Sequence, residues 1–177
     1  MSKTQLGFDL GSSSLKAAFV HNGDVYVETF PLPEQLADGR AASLAYDLAQ
    51  FLSQVRKKLS LPWRTAVLTL PPSEAACFPP APQDHSTLQG AVFGQTADLQ
   101  RQRLSYMRAF ACGGIWLKAV LSQEAALLRL IRAQKKPPRA ALFIDLGHRS
   151  TRMMAVEQGV IQASWQIAAG EHDLDQV

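Results

Sequence analysis

What most constrains the fold of this chain is that it carries one stretch twice. Asp9, Leu10, Gly11, Ser14, Val20 and Gly23 coincide with Asp145, Leu146, Gly147, Ser150, Val156 and Gly159 at a constant offset of 136 residues, with no gap. In the same alignment Lys16 meets Arg152 and Val25 meets Ile161. Each copy reads as a three-strand meander. In the first, 6–10 is a short apolar strand that stops at Gly11, 15–20 is a second strand, and 25–30 alternates apolar and polar residues. His21-Asn22-Gly23-Asp24 is the hairpin turn between the last two. The second copy runs as strands 141–146, 151–157 and 160–167, turning at Gln158-Gly159. Such a duplication predicts two similar lobes facing each other across a cleft.

The repeated spacing within the unit suits phosphate chemistry. The first strand delivers the Asp9 carboxylate at its C-terminal end, where Mg²⁺ can be held through water. Gly11 lets a phosphate come close to the backbone, and the N–H groups of Ser12, Ser13 and Ser14 can form an anion-binding concavity. Side chains alternate along a strand, so Ser14 and Lys16 share a face and Lys16 becomes a point charge aimed at the same phosphates. A plain polar turn between two strands is the competing reading of Asp-Leu-Gly-Ser-Ser. The second copy and the Lys16 spacing favour the anion site.

Between the copies the periodicity switches to helices. Leu44, Leu48, Phe51, Leu52, Val55 and Leu59 lie on one face of a helix predicted from about Arg40 to Leu59, opened by Asp38 or Gly39 and closed by Lys57-Lys58. Residues 65–70 form an apolar strand ended by Pro71-Pro72. Residues 73–97, with Pro79-Pro80 and Pro82, read as a long exposed insertion. A helix over 98–111 puts Leu99, Met107 and Phe110 inward and is capped by Gly113-Gly114. A strand over 115–121 follows, and then a helix N-capped by Ser122 that ends near Lys136. Crossovers and meanders together imply an α/β chain with a mixed sheet flanked by helices. The domain reading is a first lobe over 1–136, with the insertion at 73–97, and the start of a second, apparently truncated lobe over 137–177.

Bulk properties exclude several functions. The chain has 177 residues, a net charge of +3 and scattered basic residues, which argues against a nucleic-acid surface. No run of ~18 apolar residues spans a bilayer, and the N-terminus has no apolar signal region. Cys77 and Cys112 have no metal-ligand spacing and are expected as reduced core thiols of a cytoplasmic protein. His21, His85, His148 and His172 share no spacing that makes a metal site. Trp63, Trp116 and Trp165 are expected to pack at strand edges.

In order, FDLGSSSLKAAFV, LSQEAALLRLI, ALFIDLGHRSTRMMAVEQG and WQIAAGEHDLDQV resemble the first phosphate motif, connecting helix, second phosphate motif and following glycine segment of the superfamily of actin, sugar kinases and DnaK-type chaperones. LADGRAASLAYDLAQFL and TAVLTLPPS resemble segments of the bacterial MreB, FtsA, PilM and EutJ-type branch. The resemblance covers most of the chain outside 73–97. It implies an actin-like ATPase (ribonuclease H-like) fold: a mixed five-stranded sheet with flanking helices, plus the start of a second, duplicated lobe.

Carried over by position, the resemblance implies ATP with Mg²⁺ as cofactor. Asp9 and Asp145 would face the Mg²⁺ through water. Gly11, Ser12, Ser13, Ser14 and Lys16 would wrap the β- and γ-phosphates, and Gly147 and Ser150 would form the opposite loop. Glu124 would position the attacking water and Asp145 would share in catalysis, which in such a site is positioning and charge neutralisation. Three features depart from the pattern. His148 and Arg149 stand where active members carry glycines, Ala125 replaces a proline, and the chain stops before the adenosine-binding motif. The expected role is a nucleotide-dependent scaffold or chaperone-like assembly factor with weak or no ATPase, working with protein partners. Self-association and a peripheral place at a membrane assembly are compatible with it. The alternatives are a nucleotide-free interaction module, favoured by His148 and Arg149, and a small-molecule kinase whose base would be Asp84 or Glu74.

Overall fold

A computed structural model of the chain describes residues 6–21, 23–37, 44–60, 65–70 and 97–171. Contacts divide these residues into two compact units, the chain passing from the first to the second after Leu121.

In the first unit, β1 (Leu6–Leu10), β2 (Ser14–His21) and β3 (Asp24–Pro31) form an antiparallel meander, and β4 (Thr65–Leu70) runs parallel to β1. With β5 (Trp116–Ser122) they make a mixed five-stranded sheet in the order β3-β2-β1-β4-β5. A 3₁₀ turn (Glu34–Leu36), α1 (Ala45–Leu59) and α2 (Ala97–Cys112) complete the unit. Alternation along the strands decides the layering. Leu6, Phe8 and Leu10 of β1, Leu15 and Ala17 of β2, and Ala66, Leu68 and Leu70 of β4 are buried. They share one core with Leu48, Leu52 and Val55 of α1 and Tyr106, Ala109 and Phe110 of α2. Phe8 meets Phe110 edge-on, with ring centroids 5.5 Å apart. Burial pushes the Tyr106 phenol up to about 12, so it stays neutral inside this core.

Helix α2 ends as its two glycines require. Gly114 has φ +84°, its N–H donates to Ala111 O (3.0 Å), and the Ile115 N–H reaches back to Phe110 O (2.9 Å). This is a Schellman stop with glycine at the left-handed position. Gly113 serves a different need, because a Cβ there would lie 2.7 Å from Leu52 Cβ, so its bare backbone lets α2 approach α1.

In the second unit, α3 (Gln123–Ala133) is followed by the antiparallel meander β6 (Ala140–Leu146), β7 (Thr151–Glu157) and β8 (Val160–Ile167). Ser122 Oγ accepts from the Ala125 N–H (3.2 Å), the expected N-cap. Leu128 and Ile131 of α3 pack with Met154 and Val156 of β7, flanked by Phe143 and Ile161. Arg132 Nη2 donates to Gly159 O (2.7 Å) and ties the end of α3 to the β7–β8 turn.

Several expectations change. Helix α1 begins at Ala45 after Leu44, while Asp38 to Ser43 lie outside the described residues. Helix α3 ends at Ala133, so Lys135 and Lys136 follow it rather than close it. Cys112 is exposed, because the last turn of α2 presents it away from the face that holds Ala109 and Phe110; it is no core thiol. Trp116 and Trp165 are 62% and 50% exposed instead of packed. Trp63, Cys77 and residues 73–96 of the insertion fall outside the described residues, Ala97 begins α2, and the side chain of Leu99 is not described.

Gly113→Ala is expected to destabilise the first unit by about 1–3 kcal/mol through overpacking against Leu52. Denaturant titration followed by circular dichroism checks it, and an unchanged midpoint would contradict the close approach.

Candidate functional site

The doubled sequence is a doubled structure. Asp9 pairs with Lys16 and Leu10 with Leu15 in the first copy; Asp145 pairs with Arg152 and Leu146 with Thr151 in the second. Both loops close with the same backbone bond. Gly11 N–H donates to Ser14 O (2.8 Å), and Gly147 N–H donates to Ser150 O (3.0 Å). The turn pairs also correspond, His21 with Asp24 and Glu157 with Val160, each turn carrying a glycine at positive φ.

In the first copy Asp9 and Lys16 stand opposite each other at the end of β1, on the sheet face away from Phe8 and Leu15. Lys16 is exposed. The loop is braced by the Leu32 N–H, which donates to Ser13 O (2.8 Å). A Cβ on Gly11 would come 3.3 Å from Ser14 O, so the loop is tight around that glycine. Thr69 of β4 lies beside Asp9 in the parallel register, and its Oγ1 is 2.7 Å from Asp9 Oδ1 and 3.2 Å from Phe8 O. A hydroxyl has one proton, and the shorter, charge-assisted bond to the carboxylate is the stronger use of it. Thr69 therefore sets the orientation of Asp9. Sequence reading passed it over as part of an apolar strand; a threonine inside that run was the available signal.

The second copy is built on the same frame but is closed by its own chain. The Glu171 N–H donates to Gly147 O (2.9 Å), and Thr151 Oγ1 donates to Ala169 O (2.7 Å). Gly170 lies so close that a Cβ would stand 2.5 Å from both Gly147 O and His148 O. A β-bulge then breaks the correspondence with the first copy. Val156 pairs with Ile161 as Val20 pairs with Val25, but Ala155 pairs with Ala163, leaving Gln162 as the extra residue. Beyond it, Arg152 stands opposite Gln166, whereas Lys16 stands opposite Thr29. Trp165, the counterpart of Thr29, is thereby turned to the opposite sheet face, where Leu142, Ile144 and Ile167 are also exposed. Arg152 reaches Gln123 Oε1 (2.6 Å), Gln166 Oε1 (3.0 Å) and Glu124 Oε1 (3.7 Å).

Asp9, Gly11, Ser12, Ser13, Ser14 and Lys16 thus converge in the first unit, while Asp145, Gly147, Ser150 and Glu124 lie in the second. Among the described residues no three His, Cys, Asp or Glu side chains cluster to hold a metal. What the chain offers is single carboxylates, Asp9 and Asp145. That donor set suits Mg²⁺, which keeps most of its water and takes remaining ligands from phosphate. The glycine-tight loop and opposed Lys16 suit the phosphates themselves. His148 and Arg149, both exposed, add bulk to the second loop.

The chain has the actin-like, ribonuclease H-like fold. Two solved structures carry it over nearly the whole length. The ethanolamine utilization protein EutJ from Carboxydothermus hydrogenoformans matches 99% of the chain, with a TM-score of 0.60 and 14% identity. A PilM-PilN type IV pilus biogenesis complex matches 97%, with a TM-score of 0.65 and 16% identity. The chain spans 56% and 63% of those two proteins, and at such identities the likeness is one of fold. No protein-family model and no curated protein matches the sequence. No helix among the described residues is long and apolar enough to cross a membrane.

Two substitutions check this geometry. Thr69→Val is expected to cost about 1–2 kcal/mol in denaturant unfolding by removing the hydroxyl that donates to the part-buried Asp9 carboxylate, with Thr69→Ser retaining most of the stability. Gly170→Ala is expected to shift the amide resonances of residues 147–150 and 169–171 in an NMR spectrum while leaving those of 9–16 in place.

Proposed function

We propose that this chain is part of an actin-like protein that binds ATP with Mg²⁺ and works as a scaffold or assembly factor, with little or no ATP turnover of its own. The observation that carries the reading is the first hairpin. A loop tied by Gly11 and Ser14 is flanked by a Thr69-oriented carboxylate on one strand and an opposed lysine on the next. The loop amides and Lys16 would take the β- and γ-phosphates, and Asp9 would hold Mg²⁺ through water. Gly147, Ser150 and Asp145 would supply the second phosphate loop and its carboxylate, and Glu124 the water-positioning group. Bound Mg²⁺ would neutralise phosphate charge, and the loop amides and Lys16 would orient the polyphosphate.

Weak turnover follows from the second copy. Exposed His148 and Arg149 crowd that loop, and Arg152 is held by three side chains of its own unit. The assembly role is supported by fold neighbours of which one is a PilM-PilN complex and another an ethanolamine utilization protein; protein partners, a FtsA-, PilM- or EutJ-like place in the cell and a cytoplasmic setting belong to this proposal. A nucleotide-free interaction module is the second reading, favoured by the way Gly170 and Glu171 close the second loop. A kinase reading has no support in the described residues, since Glu74 and Asp84 lie outside them.

Calorimetry with Mg·ATP decides between the first two. Binding that weakens about tenfold or more in Lys16→Ala supports the nucleotide reading, the size expected for a lost charge-assisted phosphate contact. No heat with either Mg·ATP or Mg·ADP, together with binding of a peptide partner, decides for the interaction module instead. Turnover at the rate of a working ATPase would contradict the assembly-factor role.

A further inference from the structure

Arg152 occupies the place of Lys16 in the second copy of the unit, and alignment alone makes it the second phosphate cation. Its contacts say otherwise. Nη1 donates to Gln123 Oε1 at 2.6 Å, Nη2 donates to Gln166 Oε1 at 3.0 Å, and Nε lies 3.7 Å from Glu124 Oε1. Each nitrogen of the guanidinium thus has an oxygen of this chain facing it. The ion pair is largely shielded, with the Arg152 and Glu124 side chains 11% and 18% exposed. Screening by water and salt is weaker there than at an open surface. Two of the three partners are consecutive residues in the first turn of α3, and the third faces Arg152 only because of the bulge at Gln162. Lys16, by contrast, is exposed, and its strand partner Thr29 belongs to an unbulged register.

We infer that Arg152 is a positioning residue for Glu124 and not a phosphate ligand, so that the cation duty of the doubled unit falls on Lys16 alone. The planar fork of the guanidinium suits this task, since it holds two amide oxygens in fixed directions while its charge draws the Glu124 carboxylate to 3.7 Å. A lysine ammonium at the end of a flexible stem could not hold all three in one plane. The duplicated sheet has therefore been turned to two uses: its first copy faces an external anion, and its second holds the first turn of α3 through Gln123 and Glu124. The inference rests on the phosphate-binding reading of Lys16 for its contrast, but its contacts stand within the second unit.

The test uses the full chain and two measurements. In calorimetry with Mg·ATP, Arg152→Gln is expected to change affinity by less than about twofold, while Lys16→Ala weakens it about tenfold. In ¹⁵N–¹H spectra of the arginine Nε–H groups, the Arg152 signal is expected to shift in Glu124→Gln and to stay in place on adding Mg·ATP, whereas the amide signals of 11–14 move. An Arg152 signal that follows Mg·ATP together with those amides, or an Arg152→Gln loss equal to that of Lys16→Ala, overturns the inference. An Arg152 signal unmoved by Glu124→Gln overturns it as well. If the amides of 11–14 ignore Mg·ATP, the nucleotide reading fails. The response of Arg152 to Glu124→Gln then still decides whether Arg152 holds Glu124.

Discussion

The backbone bond from Gly11 N–H to Ser14 O, with its counterpart from Gly147 to Ser150, is the constraint from which the rest of both units follows. It closes the turn between the first two strands of each meander and so sets their register. With the turn fixed, Asp9 must stand opposite Lys16, and Asp145 opposite Arg152. In the first copy strand alternation then sends Leu6, Phe8, Leu10 and Leu15 to the core and leaves Asp9 and Lys16 on the other face, whereas in the second Arg152 shares a face with the buried Met154 and Val156. A one-residue slip of β2 would bury Lys16 and expose Leu15 and Ala17, at a cost of several kcal/mol for unpaired buried charge alone. Chemistry and packing are therefore specified by the same short loop.

From this shared frame the two copies diverge through one inserted residue and one returning segment. The bulge at Gln162 exchanges which β8 residues look toward Arg152, bringing Gln166 to it and sending Trp165 away. Gly170 and Glu171 then lie against the second loop, where any side chain at 170 would collide with the Gly147 and His148 carbonyls. The first loop is instead braced from outside its turn, by Leu32 on Ser13, and Asp9 has Thr69 as a hydroxyl donor. The functional asymmetry between the copies is thus a matter of backbone register and local crowding more than of the residues that align.

Much of the architecture was legible because its signals are local. The turn glycines, the apolar face of α1 from Leu48 to Val55, the Ser122 cap and the glycine stop after α2 each depend on residues within a few positions of one another. The actin-like fold was legible because those local units fall in the right order. What could not be read was whatever depends on the partner strand. Thr69 looks like one more residue of an apolar strand until β4 is laid parallel to β1. Trp165 and Trp116 look like packing residues until their sheet faces are known, and Cys112 looks like a core thiol until the last turn of α2 is oriented.

By itself, then, the sequence determined the doubled hairpin, the tight glycine loop in each copy and the opposed Asp9 and Lys16, since a turn bond and strand periodicity act over fewer than ten residues. Only the tertiary structure decided that Asp9 is oriented by Thr69, 60 residues away, and that Arg152 turns to Glu124 and Gln123, the latter 29 residues away. These contacts are made across strands and between a strand and a helix. Their geometry depends on sheet order, on a parallel register and on one bulged residue, none of which leaves a periodic mark in the chain.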